Sequence, residues 1–371
     1  MPFKKIIKYT RKAYTEFLTH IYDVPPRMLA FLILILLATT PYIGISPLKL
    51  DNILVPANLM AILAVSWDLL VGRTGQISLG HALFWGVGAY GSALLFKYLD
   101  WPVWVTIPLS LLTGVGVAII IGIPCLRMKG PYLALVTMCF PLAITGFLSY
   151  YREIFGGDTG IGAIIKFVDG KRVRRPFPKV FPSLLGYNAM LANYYLSFIL
   201  LMISAIIIYK IATSRTGIVL ISILDDELGS KACGINVAKY KLMSFAISGL
   251  FGSLAGAFNA HIVEGSANPN FFHLSNSIIP IIGTILGGIG TIYGPIVGTY
   301  IFYLMNRYVF TEVVPIDPNL QLLLFILIVI LFIVKWPRGV ARVIVEKLED
   351  LEEPREIEEI KKERAKRAEK G

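Results

Sequence analysis

The sequence predicts an all-α, polytopic transmembrane helical bundle of about ten spans. Of 371 residues, 56% are hydrophobic and 16% are charged, whereas a soluble domain carries about 25% charged residues. Apolar runs long enough to cross a bilayer recur along most of the chain. Outside those runs the basic residues cluster in loops and tails. The net charge of +11 therefore reads as topology and not as a nucleic-acid footprint.

A helix needs about 20 mostly apolar residues to cross hydrocarbon. Ten stretches qualify or nearly qualify: 28–45, 53–71, 78–96, 103–123, 132–150, 191–211, 242–263, 277–286, 291–309 and 320–335. Residues 1–27 form a basic cytoplasmic segment, 28–335 the transmembrane domain and 336–371 a charged cytoplasmic tail. The first apolar run follows a long basic stretch without an A-x-A cleavage pattern, so a retained first helix is expected. The eighth stretch is short and leads into a glycine run, as a half-helix or re-entrant segment would.

Orientation follows from Lys and Arg. With both termini inside, 25 of the 35 fall on the inner side. Seven of the other ten lie in one outer loop, between Arg152 and Lys179, with most of that charge away from the helix ends. The tail carries Glu358–Lys362 and Glu363–Arg367 at i,i+4, the spacing of a solvated helix.

Small residues recur every fourth position: Ser248, Gly252 and Gly256, then Gly283 and Gly287, then Gly290, Gly294 and Gly298. In lipid, close backbone approach through such residues is a main source of helix association. The run from Gly287 to Pro295 predicts a helix break in mid-membrane, tolerated only where protein or a water-filled cavity satisfies the backbone. Gly75-Gln76-Ile77-Ser78-Leu79-Gly80-His81 places polar groups at the inner start of a span, with His81 either lining a pathway or hydrogen-bonding a helix end. Asp68 is the one carboxylate well inside a span, and pairing with Arg73 is the expected resolution of its charge.

Between the sixth and seventh spans, the stretch 214–237 is long for a tight turn. Asp225 is read as the cap of a short helix, Asp226 and Glu227 as its favourable first turn, and Gly234 as its stop. A short amphipathic helix there suits a groove on a cytosolic motor. No phosphate loop of the form GxxxxGK[ST] appears, nor HExxH or G-x-S-x-G, and His20, His81, His261 and His273 do not cluster. Neither enzymatic chemistry nor a metal site is expected. Cys125, Cys139 and Cys233 read as small apolar filling.

Taken together and in order, several segments resemble the permease subunits of high-affinity branched-chain amino acid importers of the ABC type. They are Gly75 to Ala82, Arg127 to Ala134, Gly156 to Gly160, Arg215-Thr216-Gly217 with Asp225-Asp226-Glu227 and Gly234-Ile235-Asn236, and the Gly287–Gly298 region. The resemblance implies a plasma-membrane transport subunit of a prokaryote, carrying leucine, isoleucine or valine. It implies a second permease chain, two cytosolic ATPases holding ATP and magnesium, and an external solute-binding protein. This chain itself would hold no cofactor. Arg215, Gly217, Asp225, Asp226, Glu227, Gly234, Ile235 and Asn236 would couple to the ATPase. Gln76, Ser78, His81, Gly288, Gly290 and Gly294 would lie near the pathway. The permease of a urea or short-amide importer looks similar, and a self-sufficient secondary carrier is the contrasting class. Ile218, Ile221 and Leu224 stand where the family usually carries basic residues, which predicts a more apolar contact with the motor.

Overall fold

The computed structural model describes residues 50–307, apart from 129, 163, 169–170, 176 and 182–186, together with 318–335, 339 and 343. The first expected span, the basic N-terminal segment and the charged tail lie outside the described residues.

The described chain is a helical bundle. A π-helical turn, Leu50–Leu54, leads into α1 (Val55–Thr74); α2 (His81–Leu99), α3 (Val103–Cys125) and α4 (Pro131–Tyr150) follow. A short α5 (Arg152–Phe155) opens the long loop after α4, the one expected on the outer side. The loop then adds what the sequence did not announce, an antiparallel hairpin of β1 (Ile164–Val168) and β2 (Lys171–Arg175), with Ile164 opposite Arg175. Next come α6 (Tyr187–Thr213), α7 (Arg215–Asp225), α8 (Glu227–Ala232) and α9 (Val237–Asn259), the last continued by a π turn, Ala260–Glu264. The series closes with α10 (Ser275–Gly287), α11 (Tyr293–Tyr303) and α12 (Pro318–Lys335).

Five of these helices are long and apolar enough to cross a membrane. They differ sharply in environment. In α1, 94% of the most apolar window is buried, against 33% in α3, 28% in α4 and 33% in α6. So α1 is the axis, enclosed by α6, α9, α10 and α11. The outer helices keep large apolar side chains such as Leu112, Ile120, Tyr132 and Ile206 exposed, as lipid-facing surfaces do.

The small-residue stripes work as close crossings. A Cβ on Gly256 would meet the Trp85 carbonyl at 1.9 Å, so α9 and α2 touch backbone to backbone. A Cβ on Gly298 would meet the Gly283 carbonyl at 1.8 Å, which closes α10 and α11 into a tight pair. Neither helix of that pair reaches 18 residues. At the first turn of α1 runs a buried polar chain: the Tyr300 hydroxyl donates to Asn58 Oδ1, and Asn58 Nδ2 donates to Ser197 Oγ at 2.9 Å. It ties α11, α1 and α6 together in a medium where unpaired polar groups are costly.

Successive connections gather at opposite ends. At one end lie residues 75–80, the α6–α9 connection with α7 and α8, the glycine break 288–292, and Gly339, whose Cβ would meet Gly288 Cα at 2.4 Å. At the other end Ile161 pairs with Ala267, and the Pro178 carbonyl lies 2.8 Å from His261 Nδ1. Of the three cysteines only Cys125 is buried filling; Cys139 and Cys233 are exposed free thiols, so the expectation of apolar filling fails for those two.

Candidate functional site

The segment between α6 and α9 is built as two short helices at a sharp corner. A Cβ on Gly217 would meet the Ala212 carbonyl at 2.0 Å, so only glycine lets α7 fold back this tightly on α6. Arg215 opens α7 and is exposed. Asp225 ends α7, and the cap of α8 is Asp226, one residue later than the sequence suggests. Asp226 Oδ1 accepts from the Leu228 and Gly229 amides at 2.9 and 3.0 Å. The shift arises because Asp226 takes the extended backbone (φ −149°, ψ 102°) that a cap requires, while Asp225 stays helical.

Gly234, at φ 82°, stops α8 one residue past the cap, Cys233. The Gly234 amide donates to the Lys231 carbonyl at 3.0 Å and the Ile235 amide to the Ser230 carbonyl at 3.1 Å. That paired closure is a Schellman motif, and it needs a left-handed residue where Gly234 stands. Asn236 then caps α9 by accepting from the Lys239 amide at 3.1 Å. Glu227 pins the two helices together, accepting from Lys231 at 2.7 Å and from Lys241 of α9 at 2.8 Å. Those hydrogen bonds, Lys231's first and then Lys241's, hold its carboxyl down at about 2, so it stays charged throughout the physiological range. Exposed on this frame, among charges, are the apolar side chains of Ile218 (64% exposed), Leu224 (42%) and Leu228 (71%).

Beside this segment lies a region of irregular backbone at membrane depth. Gly75, at φ 69°, ends α1, and a Cβ there would meet Leu224 Cδ1 at 2.9 Å. So α7 touches the point where α1 turns. The chain then runs back along α1 before α2 begins, at His81 and not at Ser78 as the hydropathy implies. Its polar groups are met one by one: the Trp67 indole donates to the Ser78 carbonyl (2.7 Å), Thr137 Oγ1 accepts from the Leu79 amide (3.0 Å), and Ser277 Oγ accepts from the Ala82 amide (2.8 Å). Within α1 and this passage, Gln76 Oε1 lies 3.3 Å from the Thr74 hydroxyl, and Ser78 Oγ accepts from the Gly80 amide. His81 Nε2 is 2.7 Å from Ser248 Oγ, whose proton goes to the Ser66 carbonyl; Nε2 therefore carries the proton in this arrangement. Gln76, Ser78 and His81 are all enclosed.

The glycine break packs against the same end of α1. Asp68 does not form an ion pair with Arg73 among the described residues; its Oδ1 accepts from the Gly290 amide at 2.7 Å. A Cβ on Gly72 would lie 2.8 Å from Gly290 Cα. The break is thus level with the last turns of α1, because α10 passes Ala64 at Thr284 and ends at Gly287, just before Gly290 meets Asp68. Gly288 and Gly290 take positive φ (119° and 80°), and Gly294 receives backbone from the Gly287–Gly288 side. A carboxylate here also sits near the N-terminus of α11, where the helix dipole favours negative charge.

A cavity opens at the opposite end, between α1, α9, α10 and α11. Met60, Trp85, Phe271 and Ile279 form its apolar wall; Asn259, Glu264, Tyr303 and Arg307 bring the polar groups. Three elements around it turn π-helical there, at Leu50–Leu54, Ala260–Glu264 and 304–307. Such turns often mark functional sites. Sequence reasoning missed the cavity, whose residues come from four separate stretches with no common motif. Among the described residues no group of three or more His, Cys, Asp or Glu could hold a metal ion.

A family model described as "Branched-chain amino acid transport system / permease component" matches residues 49–334. The chain is 28% identical over 240 residues to the high-affinity branched-chain amino acid transport system permease protein LivM of Salmonella typhimurium strain LT2, covering 62% of this chain and 56% of that protein. The LivM protein of Escherichia coli strain K12 matches to the same extent. A probable branched-chain amino acid transport permease protein, LivH of Methanocaldococcus jannaschii, is 24% identical over 261 residues, covering 68% of this chain and 77% of the relative. The chain therefore spans just over half the length of the LivM relatives it matches. No solved structure gives a significant match.

Proposed function

The chain belongs to the branched-chain amino acid transport permease family, and from that premise we propose that it is the membrane-spanning subunit of an ATP-driven importer for leucine, isoleucine and valine. The subunit sits in the prokaryotic plasma membrane with ten spans and both termini inside. Its partners are a second, related permease chain, two cytosolic ATPases that carry ATP and magnesium, and an external binding protein. This subunit holds no cofactor and performs no catalysis. Specificity resides mostly in the binding protein, since a tight site in the permease would trap its cargo.

The observation that carries this reading is the built coupling segment. The residues 215–236 form two capped helices fixed to α9 by Glu227, presenting Ile218, Leu224 and Leu228 outward. Exposed apolar side chains on a rigid frame suit a groove on a motor protein. Leu224 also rests on Gly75, the turning point between α1 and the irregular passage. A push on α7 is therefore delivered to the backbone that carries Gln76, Ser78 and His81. Through α1 it reaches Asp68 and the Gly288–Gly294 break. Together these make an inner gate that ATP binding opens or closes as a population shift between two arrangements.

The test is co-purification of the full chain, expressed with its neighbouring genes. A second permease chain and an ATPase should be recovered, and the ATPase should be lost when Asp226 and Gly234 are replaced. A stable preparation that transports leucine in vesicles with no ATPase would overturn the reading in favour of a secondary carrier.

A further inference from the structure

We infer that the outer cavity is a receiving site for an α-amino acid with an apolar side chain, in which Arg307 takes the carboxylate and Glu264 the ammonium. This rests on the permease reading and extends it, because nothing in that reading gives the membrane chain a solute site of its own.

Three observations carry it. First, both signs of charge line one cavity. Glu264 and Arg307 both line it beside Tyr303, yet no ion pair joins them to one another among the described residues. Two exposed opposite charges left apart at the mouth of a cleft present the complement of a zwitterion. Guanidinium is suited to a carboxylate because its donors match the two oxygens.

Second, the side chain of Asn259 is 7% exposed, lines the cavity, and has no hydrogen-bond partner among the described residues. Its amide faces the cavity, where a polar group of a ligand can take the place of water. By contrast Asn268 and Asn276 are occupied: Asn268 accepts from the Asn270 amide, and Asn276 donates to the Asn270 and Phe271 carbonyls.

Third, the wall beyond the polar groups is apolar. Met60, Trp85 and Phe271 are all buried, and Trp85 stacks on Phe271 with centroids 6.2 Å apart. A branched aliphatic side chain fits such a surface, whereas a neutral amide would leave both charges unmatched. The π turns at Ala260–Glu264 and 304–307 are what bring Glu264 and Arg307 to the rim, since each re-aims the residues beyond it. The site is weak because of its rim: both charges remain in contact with water, which suits a step between capture and release.

The experiment is cysteine protection in right-side-out vesicles holding the whole complex, without the external binding protein. The reporter is Ser275→Cys, at the cavity edge, in a Cys139→Ser background; the impermeant maleimide does not reach Cys233 at the inner end. Millimolar L-leucine should slow labelling. Urea, 4-methylpentanoate and 3-methylbutylamine, which lack one or both charges, should not. In Arg307→Gln and Glu264→Gln the leucine concentration needed should rise about tenfold each, the effect of losing one charge-assisted contact of about 1.4 kcal/mol. Equal protection by the singly charged analogues or by urea, or unchanged protection in both variants, would overturn the site. So would failure of the Ser275→Cys reporter to label while a control reporter, Tyr98→Cys on the exposed outer surface, does label. The same vesicles are assayed for ATP-dependent leucine uptake after the binding protein is restored. Uptake without protection removes the receiving site alone; absence of uptake removes the permease reading itself.

Discussion

The two ends of this bundle are built on opposite principles. At the inner end, irregular backbone is locked: the passage 75–80 has its groups matched by Trp67, Thr137 and Ser277, and the glycine break is tied to Asp68. At the outer end the helices loosen into π turns around a cavity with unmatched charges and, among the described residues, an unpartnered Asn259. The difference teaches that glycine-rich breaks need not line the open space. Here they are the packed side, and the open space is made by polar groups on intact helices.

That contrast predicts that substitutions at the inner end damage the fold, and that those at the outer rim spare it. The largest effect is expected for Gly72→Leu. Its Cβ meets Gly290 Cα and the Asp68 carboxylate, each at 2.8 Å, so the break must move away. Overpacking of this kind costs roughly 1–3 kcal/mol, and the lost Asp68 contact adds to it. Thermal melting in detergent should drop by several degrees, with no ATP-dependent uptake. Glu264→Gln at the rim should leave the melt within about 0.5 kcal/mol of the parent. If the rim variant melts as early as the inner one, the contrast between the ends is wrong.

Next is Asp68. Asp68→Ala leaves the Gly290 amide without an acceptor, at a cost of about 1–3 kcal/mol. Asp68→Asn keeps an oxygen acceptor and should recover most of that loss. A pairing role with Arg73 would make Asn as damaging as Ala, so comparing the two melts separates the readings.

The fold was legible in the sequence where hydropathy decides it. Nine of the ten expected stretches coincide with described helices, because lipid imposes length and composition on each. The misses have physical causes. The α2 start was displaced because apolar Leu79 and Ile77 read as helix, while the backbone there is held by side chains from α1, α4 and α10 that no local pattern announces. The hairpin escaped notice because β2 reads Lys-Arg-Val-Arg-Arg, without apolar alternation. Capping by Asp226 and not Asp225 was a one-residue ambiguity in a run of three acids, settled only by backbone angles. Asn58 and His261, which join elements far apart in sequence, carry no motif at all. The turns of the 215–236 segment were legible because Gly217, Gly234 and Asn236 each have a local geometric duty. The outer cavity was not, because its residues converge only in three dimensions.

A smaller effect is expected from the caps of the coupling segment. Asp226→Ala removes the acceptor of two amides, and Gly234→Ala strains a residue at φ 82°; each should cost about 1 kcal/mol. The loss is local, so melting should barely change while leucine uptake falls and ATP hydrolysis becomes uncoupled from it. Global unfolding of either variant would show that the segment is part of the core and not an appended contact.

The smallest effects separate the two lysines on Glu227. The Glu227 carboxyl is held down at about 2 against an ordinary 4.5, so the stabilisation is fully present above about pH 5 and is lost as pH falls toward 2. Hydrogen-exchange protection of the α8–α9 junction should therefore be flat from about pH 7 to 5, after correction for intrinsic exchange, and decline below about 4. Protection that stays flat below about pH 4 would mean that Glu227 is not ion-paired, since an unshifted carboxyl contributes no pH dependence. Within the pair, Lys231 is 51% exposed and one helical turn from Glu227, so Lys231→Ala should cost only about 0.3–0.5 kcal/mol. Lys241 is 12% exposed and belongs to a different helix. Its removal should cost more, about 1 kcal/mol, because there is less water to replace it and because its bond joins Glu227 to α9. In the background of Lys241→Ala, changing Lys231 should have no further effect on uptake, because the bond to Lys231 steadies α8 itself, whereas the bond to Lys241 is the one that joins α8 to α9, the link on which the proposed coupling depends.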